Sequence, residues 1–249
     1  MPSRAVGRSR PEVILFEDER FLALEKPSGL SLATPRGRDG EAVDRLLQST
    51  GLDPERPAFL LHRLDVGTSG VVLLAKDPEA HRRGSALFQE RRIEKIYRAV
   101  VWGHPVPAHG VIEAALGMDR EDRRRMRVVA AGKPAKTEYR TLERPSAIAH
   151  LELSPRTGRT HQIRVHLAFR GHPVVGDDLY AGPRWRGVAD RQLRRRLEET
   201  PRLLLHALRL SFDQPFDGVR VVVESPEPAA FEELLAAARR ATAQARARR

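Results

Sequence analysis

The chain contains no cysteine, which excludes disulfide bonds and thiolate catalysis. A zinc ion would have to bind through histidine and carboxylate ligands alone. Long apolar runs are also missing, because no stretch approaches the roughly 18 consecutive apolar residues that a membrane-spanning helix needs. The first residues, MPSRAVGRSRPEV, lack the apolar centre of a signal peptide. We therefore expect a globular, cytoplasmic protein without a membrane partner.

Lysine is also scarce. Only five of the 44 basic residues are lysine, so the other 39 are arginine, and the formal net charge is +11. The planar guanidinium group matches phosphate with two hydrogen bonds and can stack on bases. This composition therefore favours a nucleic-acid partner over an acidic small molecule. A coding bias toward arginine would produce the same composition, so the charge alone leaves both explanations open.

Short extended segments separated by turns run along most of the chain. They alternate apolar and polar residues and are joined by hairpin-length links, which indicates an antiparallel or mixed sheet. No internal repeat or long polar linker divides the 249 residues, so one domain is expected. The predicted strands lie in VILFEDERFLALEK, LLHRLDVGTSGVVLLAK, IEKIYRAVVWG, VIEAAL, MRVVAAG, AKTEYRTLER, AIAHLELSP, LLLHALRLSF and VRVVVESP.

Helices are predicted where capping residues precede amphipathic stretches. Residues 41–50 form one helix, and a second begins at Asp77 with Pro78 in its first position. A third follows Thr157 or Thr160, either of which can cap it, and ends near Gly171. Ser225 and Pro226 are expected to open an Ala-rich terminal helix, and the arginine-rich segment 191–202 is expected to be a surface helix or an RNA-contacting one.

Alternative kinds of active site fit the sequence poorly. A metal site is suggested by a short stretch rich in ligand types, but His161 and His166 are five residues apart and diverge on a helix, unlike an i, i+4 pair. No metal is therefore expected. A serine hydrolase site is not favoured, because GTSG at 67–70 lacks the second glycine of the G-x-S-x-G motif. A phosphate-binding loop around Gly132 and Lys133 is not favoured either, because Arg127 stands where that motif needs glycine. The residues of metal-ligand type in that stretch are His161, His166, His172, Asp177 and Asp178.

Asp65 stands between two apolar runs in LLHRLDVGTSGVVLLAK, residues 60–76. Burying an ionised carboxylate without a partner costs several kcal/mol. Asp65 is therefore either solvated at a turn, where it caps backbone amides, or held by a cation supplied by the fold. Arg164 in THQIRVHL is the candidate cation, since an arginine within about 4–6 Å favours the ionised form. Spacing alone leaves both possibilities open.

A family resemblance rests on these same residues. HRLDVGTSG (62–70) resembles the motif H-R-L-D-x-x-T-S-G of the RluA-type pseudouridine synthases. The resemblance runs from about residue 12 to residue 224 and implies an α+β fold, with a long, mostly antiparallel mixed sheet flanked by helices and loops. Five further segments are similar in the same order: FLALEKPSGLSLATP, EKIYRAVVWG, GKPAKTEYRTLER, RTGRTHQIRVHLAFRGHPVVGDDLYAG and LLLHALRLSF.

The resemblance also implies a domain organisation and a reaction. Residues 1–11 would be a basic, disordered arm, 12–224 the catalytic domain and 225–249 an Ala- and Arg-rich C-terminal helix. The reaction would be the isomerisation of uridine to pseudouridine in ribosomal or transfer RNA, without cofactor or metal. RNA is then the expected partner, and the chain is expected to act as a monomer.

The resemblance assigns roles to individual residues. Asp65 would be the catalytic nucleophile, and Arg164 would pair with it. Tyr97, also expected to be catalytic, would stack on the target base and help to move its proton. Arg63 would lie near the space vacated by a flipped nucleotide. Further RNA contacts are expected from His62, Arg159 and His161. The sequence leaves open whether Asp65 attacks C1′ of the sugar, attacks C6 of the base or removes a sugar proton.

Two departures from the family pattern concern RNA selection. Many relatives carry an S4-type RNA-binding domain ahead of the catalytic segments, which begin here almost at once. RNA selection is therefore expected to rest on the catalytic domain and its basic extensions. The closing segment reads SFDQP (211–215) instead of F-x-H-P, which is expected to alter a turn. The alternative function is a non-catalytic RNA-binding protein of the same fold, but such a protein could dispense with Asp65, Tyr97 and Arg164.

Overall fold

The structure, a computed structural model, describes residues 13–33, 39–200 and 202–248. The arm predicted at 1–11 lies outside these residues. In chain order the strands of the described residues are β1 (Ile14–Glu17), β2 (Phe21–Lys26), β3 (Phe59–Leu60), β4 (Ser69–Ala75), β5 (Glu94–Trp102), β6 (His109–Glu113), β7 (Leu116–Met118), β8 (Met126–Val128), β9 (Lys136–Glu143), β10 (Ile148–Pro155), β11 (Leu205–Asp213) and β12 (Arg220–Glu224).

One large mixed sheet forms the centre of the molecule. Its main order is β1-β2-β4-β11-β5-β10-β9-β6, with β12 added beside β11 and β3 beside β4, while β7 and β8 form a separate hairpin. Its strand pairs are antiparallel except β4 with β11, which run parallel. The predicted α+β fold with a long, mostly antiparallel mixed sheet is therefore confirmed.

The parallel pair places distant parts of the chain side by side. β11 comes late in the sequence but lies between β4 and β5, with Ala207 opposite Gly70. Gly70 has φ +114°, and a Cβ atom there would lie 2.2 Å from the Ala207 carbonyl oxygen. Only glycine tolerates both the backbone conformation and the close approach. The loop that enters β4 is thereby held against β11, one strand away from β5.

The described helices are α1 (Asp39–Ser49), α2 (Pro78–Gln89), α3 (Gln162–Phe169), α4 (Arg191–Glu198) and α5 (Ala229–Ala247), with a short 3-10 turn at Arg184–Gly187. The start of α2 is confirmed, because the Asp77 carboxylate accepts the Ala80 N–H at 2.9 Å and Pro78 follows it. The start of α5 was predicted too early. Ser225 still donates its N–H to the Leu208 carbonyl oxygen, so the chain leaves the sheet only after that residue.

The predicted cap of α3 is wrong. Neither Thr157 nor Thr160 caps this helix; His161 precedes it in the left-handed conformation, with φ 54°. Thr157 instead donates its hydroxyl to Gln162 Oε1 at 2.6 Å, and the same oxygen accepts the Arg159 N–H at 3.0 Å. A side chain inside the first turn of α3 thus binds the loop that enters the helix.

Alternate residues of β5 separate the core into two faces. Ala99 and Val101 pack on one side with Ile163 and Leu167 of α3. Val100 and Trp102 pack on the other side, in a cluster that also contains buried residues of α4 and α5. Burying each large apolar side chain contributes about 1.5–3 kcal/mol, so both layers fix the sheet firmly. Tyr97 belongs to the α3 side, where the candidate site lies.

None of the described helices is both long enough and apolar enough to cross a lipid bilayer.

Candidate active site

A cavity of about 650 Å³ opens where the loop before β4, the end of α2, β5 and the segment leading into α3 meet. Asp65 is the one carboxylate among the described residues that line it. Walls of one charge sign focus the electrostatic field and attract ligands of the opposite sign, so this cleft favours a polyanion. Its basic lining residues are Arg63, Arg91, Lys95, Arg156, Arg159 and Arg164.

Asp65 lies in this cleft beside a cation. One Asp65 carboxylate oxygen is 3.4 Å from Arg164 Nη1, and about a quarter of the side chain (24%) is exposed. The Asp65 backbone carbonyl accepts the Thr68 N–H at 3.1 Å, which closes the turn into β4. The structure therefore brings Asp65 and Arg164 together across 99 residues of sequence. Arg164 is the neighbouring cation that the sequence suggested for Asp65.

Asp177 is a closer partner of Arg164 than Asp65 is. Arg164 donates to the two Asp177 carboxylate oxygens at 2.7 and 2.8 Å, a bidentate pair of the strong type. The Asp177 side chain is fully buried, and one of its oxygens also accepts the N–H groups of Leu179 and Tyr180 at 3.1 Å. From the sequence, Asp177 was considered only as a metal ligand. Its link to Arg164 depends on the tertiary fold, and no local spacing indicates it.

Tyr180 completes the surroundings of Arg164. The Arg164 guanidinium carbon lies 5.0 Å from the centre of the Tyr180 ring, within cation–π range. The Tyr180 hydroxyl accepts the Met126 N–H from the β7–β8 hairpin at 2.8 Å and lies 2.8 Å from His161 Nδ1. Tyr180 thus connects the hairpin, the start of α3 and Arg164.

Tyr97 lines the same cavity from β5 and is partly buried. Burial, with the negative charge of Asp65 as a second cause, raises the pKa of the Tyr97 hydroxyl above its ordinary range. The phenol is therefore neutral at physiological pH. A neutral aromatic ring next to the carboxylate offers a surface on which a base can stack.

Lys26 binds the loop that carries Asp65 through the Val66 carbonyl. It was not identified from the sequence as a site residue. It is fully buried, and its ammonium donates to the carbonyl oxygens of Pro27, Leu30 and Val66 at 2.8, 2.9 and 3.1 Å. Burial lowers its pKa to about 8, although the charge of Asp65 acts in the opposite direction. Two more bonds tie the loops together, because Gly29 N–H and the Ser28 hydroxyl donate to the carbonyls of Val66 and Gly67.

The four residues predicted to bind RNA all line the cleft. Arg63 is exposed, and no ion pair or side-chain hydrogen bond of Arg63 is found among the described residues. Arg159 donates to the Pro134 carbonyl at 3.2 Å, which leaves its remaining N–H groups for a ligand. Both arginines are therefore placed to meet phosphate, and their contact with RNA stays a prediction.

The two predicted histidines hold the walls of the cleft. His62 Nε2 accepts the Leu73 N–H at 3.0 Å and its ring stacks on Phe88 at 4.7 Å. Burial, with a smaller effect from Lys95, lowers the pKa of His62 to about 3, so this ring is neutral. Burial also lowers the pKa of His161. Any contact of these rings with RNA would be made by neutral imidazoles, and it too stays a prediction.

The residues of the alternative sites have structural partners. His166 bonds to the Thr137 hydroxyl and the Ala114 carbonyl, and His172 bonds to the Trp102 carbonyl. Within the described residues, no three His, Cys, Asp or Glu side chains converge as metal ligands.

Ser69 and His206 form a pair that resembles a hydrolase dyad, with Oγ and Nδ1 2.9 Å apart. Ser69 is 2% exposed and His206 fully buried, and neither lines the cleft. A substrate cannot reach this hydroxyl, so the pair links β4 to β11 and has no access for catalysis.

Comparisons with known proteins agree with this geometry. A sequence model of the RNA pseudouridylate synthase family matches residues 20–169. Ribosomal large subunit pseudouridine synthase D of Pseudomonas aeruginosa is 42% identical over 226 residues, which cover 89% of this chain and 70% of that protein. The dual-specificity RNA pseudouridine synthase RluA of Escherichia coli is 40% identical over 217 residues, which cover 86% of this chain and 92% of that protein.

Solved structures show the same similarity. Human RNA pseudouridylate synthase domain containing 1 superposes with a TM-score of 0.69 at 26% identity, covering 91% of this chain and 94% of that one. Human RNA pseudouridylate synthase domain containing 4 gives a TM-score of 0.70 at 27% identity, covering 89% and 91%. The chain belongs to the RNA pseudouridine synthase family, in its RluA-type branch. It is an isomerase of the class that converts uridine in RNA to pseudouridine.

Proposed function

We propose that this enzyme acts on a uridine of structured ribosomal or transfer RNA and that Asp65 begins the reaction. The observation that carries this proposal is a single carboxylate, 3.4 Å from Arg164, among the described residues of an otherwise basic cleft. The names of its relatives support the RNA class, since one acts on the large ribosomal subunit and another is named for dual specificity.

The target nucleotide must leave its helix before it can react. A glycosidic bond inside a duplex is out of reach, and extruding one nucleotide costs a few kcal/mol. A cavity of about 650 Å³ has the size of a site for one small ligand, which suits a flipped nucleotide. We assign Arg63 at its mouth to the flanking phosphates and to the gap in the helix, where its contacts offset part of that cost.

Isomerisation then exchanges one bond for another. The bond between C1′ and N1 breaks, uracil rotates and C5 bonds to C1′. C5 then loses its hydrogen as a proton and N1 gains a proton, so substrate and product have the same composition. Attack of Asp65 on C1′ or C6, or removal of a sugar proton, each requires an ionised carboxylate. Arg164 and Lys26 supply positive charge beside it. The same charges stabilise negative charge on the detached base, because fixed charges in a partly dry cleft need little reorganisation.

Tyr97 has the role of retaining the base during this rearrangement. Stacking on an aromatic ring is worth about 1–3 kcal/mol per base, and a neutral phenol does not repel an electron-rich uracil. The raised pKa of Tyr97 keeps the ring neutral beside Asp65. The detached base therefore stays between the ring and the carboxylate until C5 reaches the sugar.

We further propose that the enzyme works as a monomer in the cytoplasm. One chain supplies Asp65, Tyr97 and Arg164, so a complete cleft needs no second subunit. Light scattering of the purified protein, with and without RNA, tests the monomer.

The deciding experiment replaces Asp65 with asparagine. Asp65→Asn is expected to abolish pseudouridine formation, a loss of at least about 1,000-fold, and to leave RNA affinity within about two-fold, because binding depends mainly on phosphate contacts. Pseudouridines are mapped in total RNA from cells that lack the gene and carry either wild type or variant. Asp178→Asn is the control, since Asp178 is exposed and outside the cleft lining. Unchanged turnover by Asp65→Asn would show that Asp65 does not begin the reaction, whereas wild type that makes no pseudouridine would favour the non-catalytic RNA-binding function.

A further inference from the structure

Arg164 is shared unequally between two carboxylates. Its Nε and Nη2 atoms bind Asp177 at 2.7 and 2.8 Å, whereas only Nη1 reaches Asp65, at 3.4 Å. A bidentate pair occupies two nitrogens of the guanidinium group, and Asp177 takes both, so only Nη1 is left for Asp65. The bidentate pair with Asp177 therefore restrains Arg164 from closing on Asp65.

We propose that Asp177 and Tyr180 are positioning residues that hold Arg164 near Asp65 but prevent a bidentate pair with it. This inference rests on the proposed role of Asp65. A carboxylate whose two oxygens are both bound by a guanidinium has fewer free lone pairs to offer a sugar carbon, a base carbon or a proton. At 3.4 Å from one nitrogen, Asp65 keeps a favourable charge nearby and an oxygen free for the substrate.

Asp177 is suited to this role because the fold fixes it. Its side chain is fully buried, and it binds the backbone N–H groups of Leu179 and Tyr180 in addition to Arg164. A buried charge pair of this kind costs several kcal/mol to break by removing one partner. The guanidinium plane is therefore set by a rigid neighbour and not by the exposed carboxylate.

Tyr180 restrains Arg164 from a second direction. Its ring lies 5.0 Å from the guanidinium carbon, and its hydroxyl is anchored by the Met126 N–H and His161 Nδ1. To rotate toward Asp65, the Arg164 guanidinium would have to lose its contact with the Tyr180 ring and its two hydrogen bonds to Asp177. The β7–β8 hairpin thus takes part in the site through one hydrogen bond, although its strands lie outside the main sheet.

Asp177→Asn tests the proposal through the pH–rate profile. An asparagine cannot accept both guanidinium bonds, so Arg164 moves to Asp65 and the competing negative charge disappears. The single-turnover rate on an RNA stem-loop should fall about 10- to 100-fold with KM nearly unchanged. The acid side of the pH–rate profile should move to lower pH, because Asp65 then holds its charge more tightly. The other groups that face Asp65, namely Lys26, Tyr97 and His161, are unchanged in this variant.

Two further variants separate positioning from structural support. Asp177→Glu restores a carboxylate and should return the acid side of the profile to that of wild type while recovering part of the rate. Tyr180→Phe keeps the ring but loses both hydroxyl contacts, and should slow turnover about three-fold without a shift in pH. Tyr139→Phe is its control, since Tyr139 also loses one hydroxyl bond, to Pro107, away from the cleft.

The outcomes discriminate clearly. A shift of the acid side to higher pH in Asp177→Asn would mean that Arg164 has been lost from Asp65 and would overturn the proposal. A rate loss that only follows a lower melting temperature, or that Asp178→Asn shares, would also overturn it. If wild type itself makes no pseudouridine, the proposed function fails instead, which is distinguishable because the positioning variants are compared with an active parent.

Discussion

At the scale of single residues, Lys26 shows how a charge can shape a loop without touching substrate. Three carbonyl oxygens from two loops converge on its ammonium, so each of its three donors has an acceptor. Removing this group would take away the bonds to the partly buried Pro27 and Leu30 carbonyls, at a cost of about 1–3 kcal/mol for each polar group left without a partner, while the Val66 carbonyl would keep the Gly29 N–H. Together with the bonds from Ser28 and Gly29, Lys26 therefore fixes the Asp65 loop from a position 39 residues earlier in the chain.

Lys26→Met is expected to lower both stability and turnover. The free energy of unfolding, measured in urea, should fall by about 2–4 kcal/mol. Methionine replaces the apolar stem of the lysine but cannot form the three hydrogen bonds of its ammonium group. The rate on a stem-loop should fall with it, because the Asp65 loop loses its anchor. Lys76→Met is the control, as Lys76 binds Glu17 and Asp18 at the surface away from the cleft. A Lys26→Met protein as active as wild type contradicts this role.

The lowered pKa of Lys26 also predicts a pH dependence. The folded protein releases this proton near pH 8, whereas the unfolded chain keeps it to about 10.5. Between these pH values the unfolded state binds more protons than the folded state, so Lys26 makes the free energy of unfolding increase with pH. The cost of burying the charged ammonium is fully present below pH 8. Turnover should behave oppositely, because a neutral amine has two donors for three carbonyls and no charge for Asp65. The ratio of wild-type to Lys26→Met rates should therefore decline as pH rises through about 8.

How much of the site could be predicted depends on where each partner lies. Asp65 and Arg164 were identified because their motifs carry them, and the cleft brings both together with Tyr97 and Arg63. Lys26 was missed as a functional residue, and Asp177 was considered only as a metal ligand. A lysine that ends an apolar strand and an aspartate in a Gly-Asp-Asp turn look like ordinary surface residues, and only the folded chain shows that both are buried.

At the scale of elements, the parallel pairing of β4 with β11 sets the position of the Asp65 loop. Gly70 needs both a positive φ and the absence of a side chain. Local sequence identified it only as part of a turn motif, because the neighbour that demands glycine, Ala207, is far away in the chain. The start of α3 was mispredicted for a related reason, since a left-handed His161 and the Gln162 side chain replaced the threonine cap.

Gly70→Ala is expected to destabilise the fold by about 3 kcal/mol or more, because the new Cβ atom meets the Ala207 carbonyl and the backbone must leave a conformation that L residues avoid. Urea titration followed by circular dichroism measures the change. Gly40→Ala is the control, since a Cβ there meets nothing within 4 Å and alanine favours the helix by about 0.5–1 kcal/mol. Equal effects of the two variants on stability would show that the contact between Gly70 and Ala207 tolerates a side chain.

At the scale of the whole molecule, α5 shares a core with the sheet. Phe231, Leu234 and Leu235 are buried in one cluster with Val100 and Trp102 of β5. The sequence indicated an Ala- and Arg-rich helix after residue 224 but not the surface that it covers. The domain boundary at 224 stays a prediction. These contacts place α5 in the layer that packs on the face of β5 opposite to Tyr97.

Truncation after residue 224 is expected to prevent stable folding. Losing the burial of three large side chains removes roughly 5–9 kcal/mol, comparable with the whole stability of an average domain. Solubility and thermal melting of the truncated protein measure this. Truncation after residue 242 is the control, because residues 243–248 are exposed and their loss should change the melting temperature by only a few degrees. A soluble, active 1–224 fragment would show that the helix is dispensable.

The place of β11 in the sheet also determines when the enzyme becomes competent during synthesis. Asp65 and Tyr97 leave the ribosome early, but the strand that separates β4 from β5 is made more than a hundred residues later. Until Leu205–Asp213 has emerged, a nascent chain carries the reactive motif without a cleft around it. Incomplete translation products are therefore expected to be inert toward the RNA that surrounds them while they are being made.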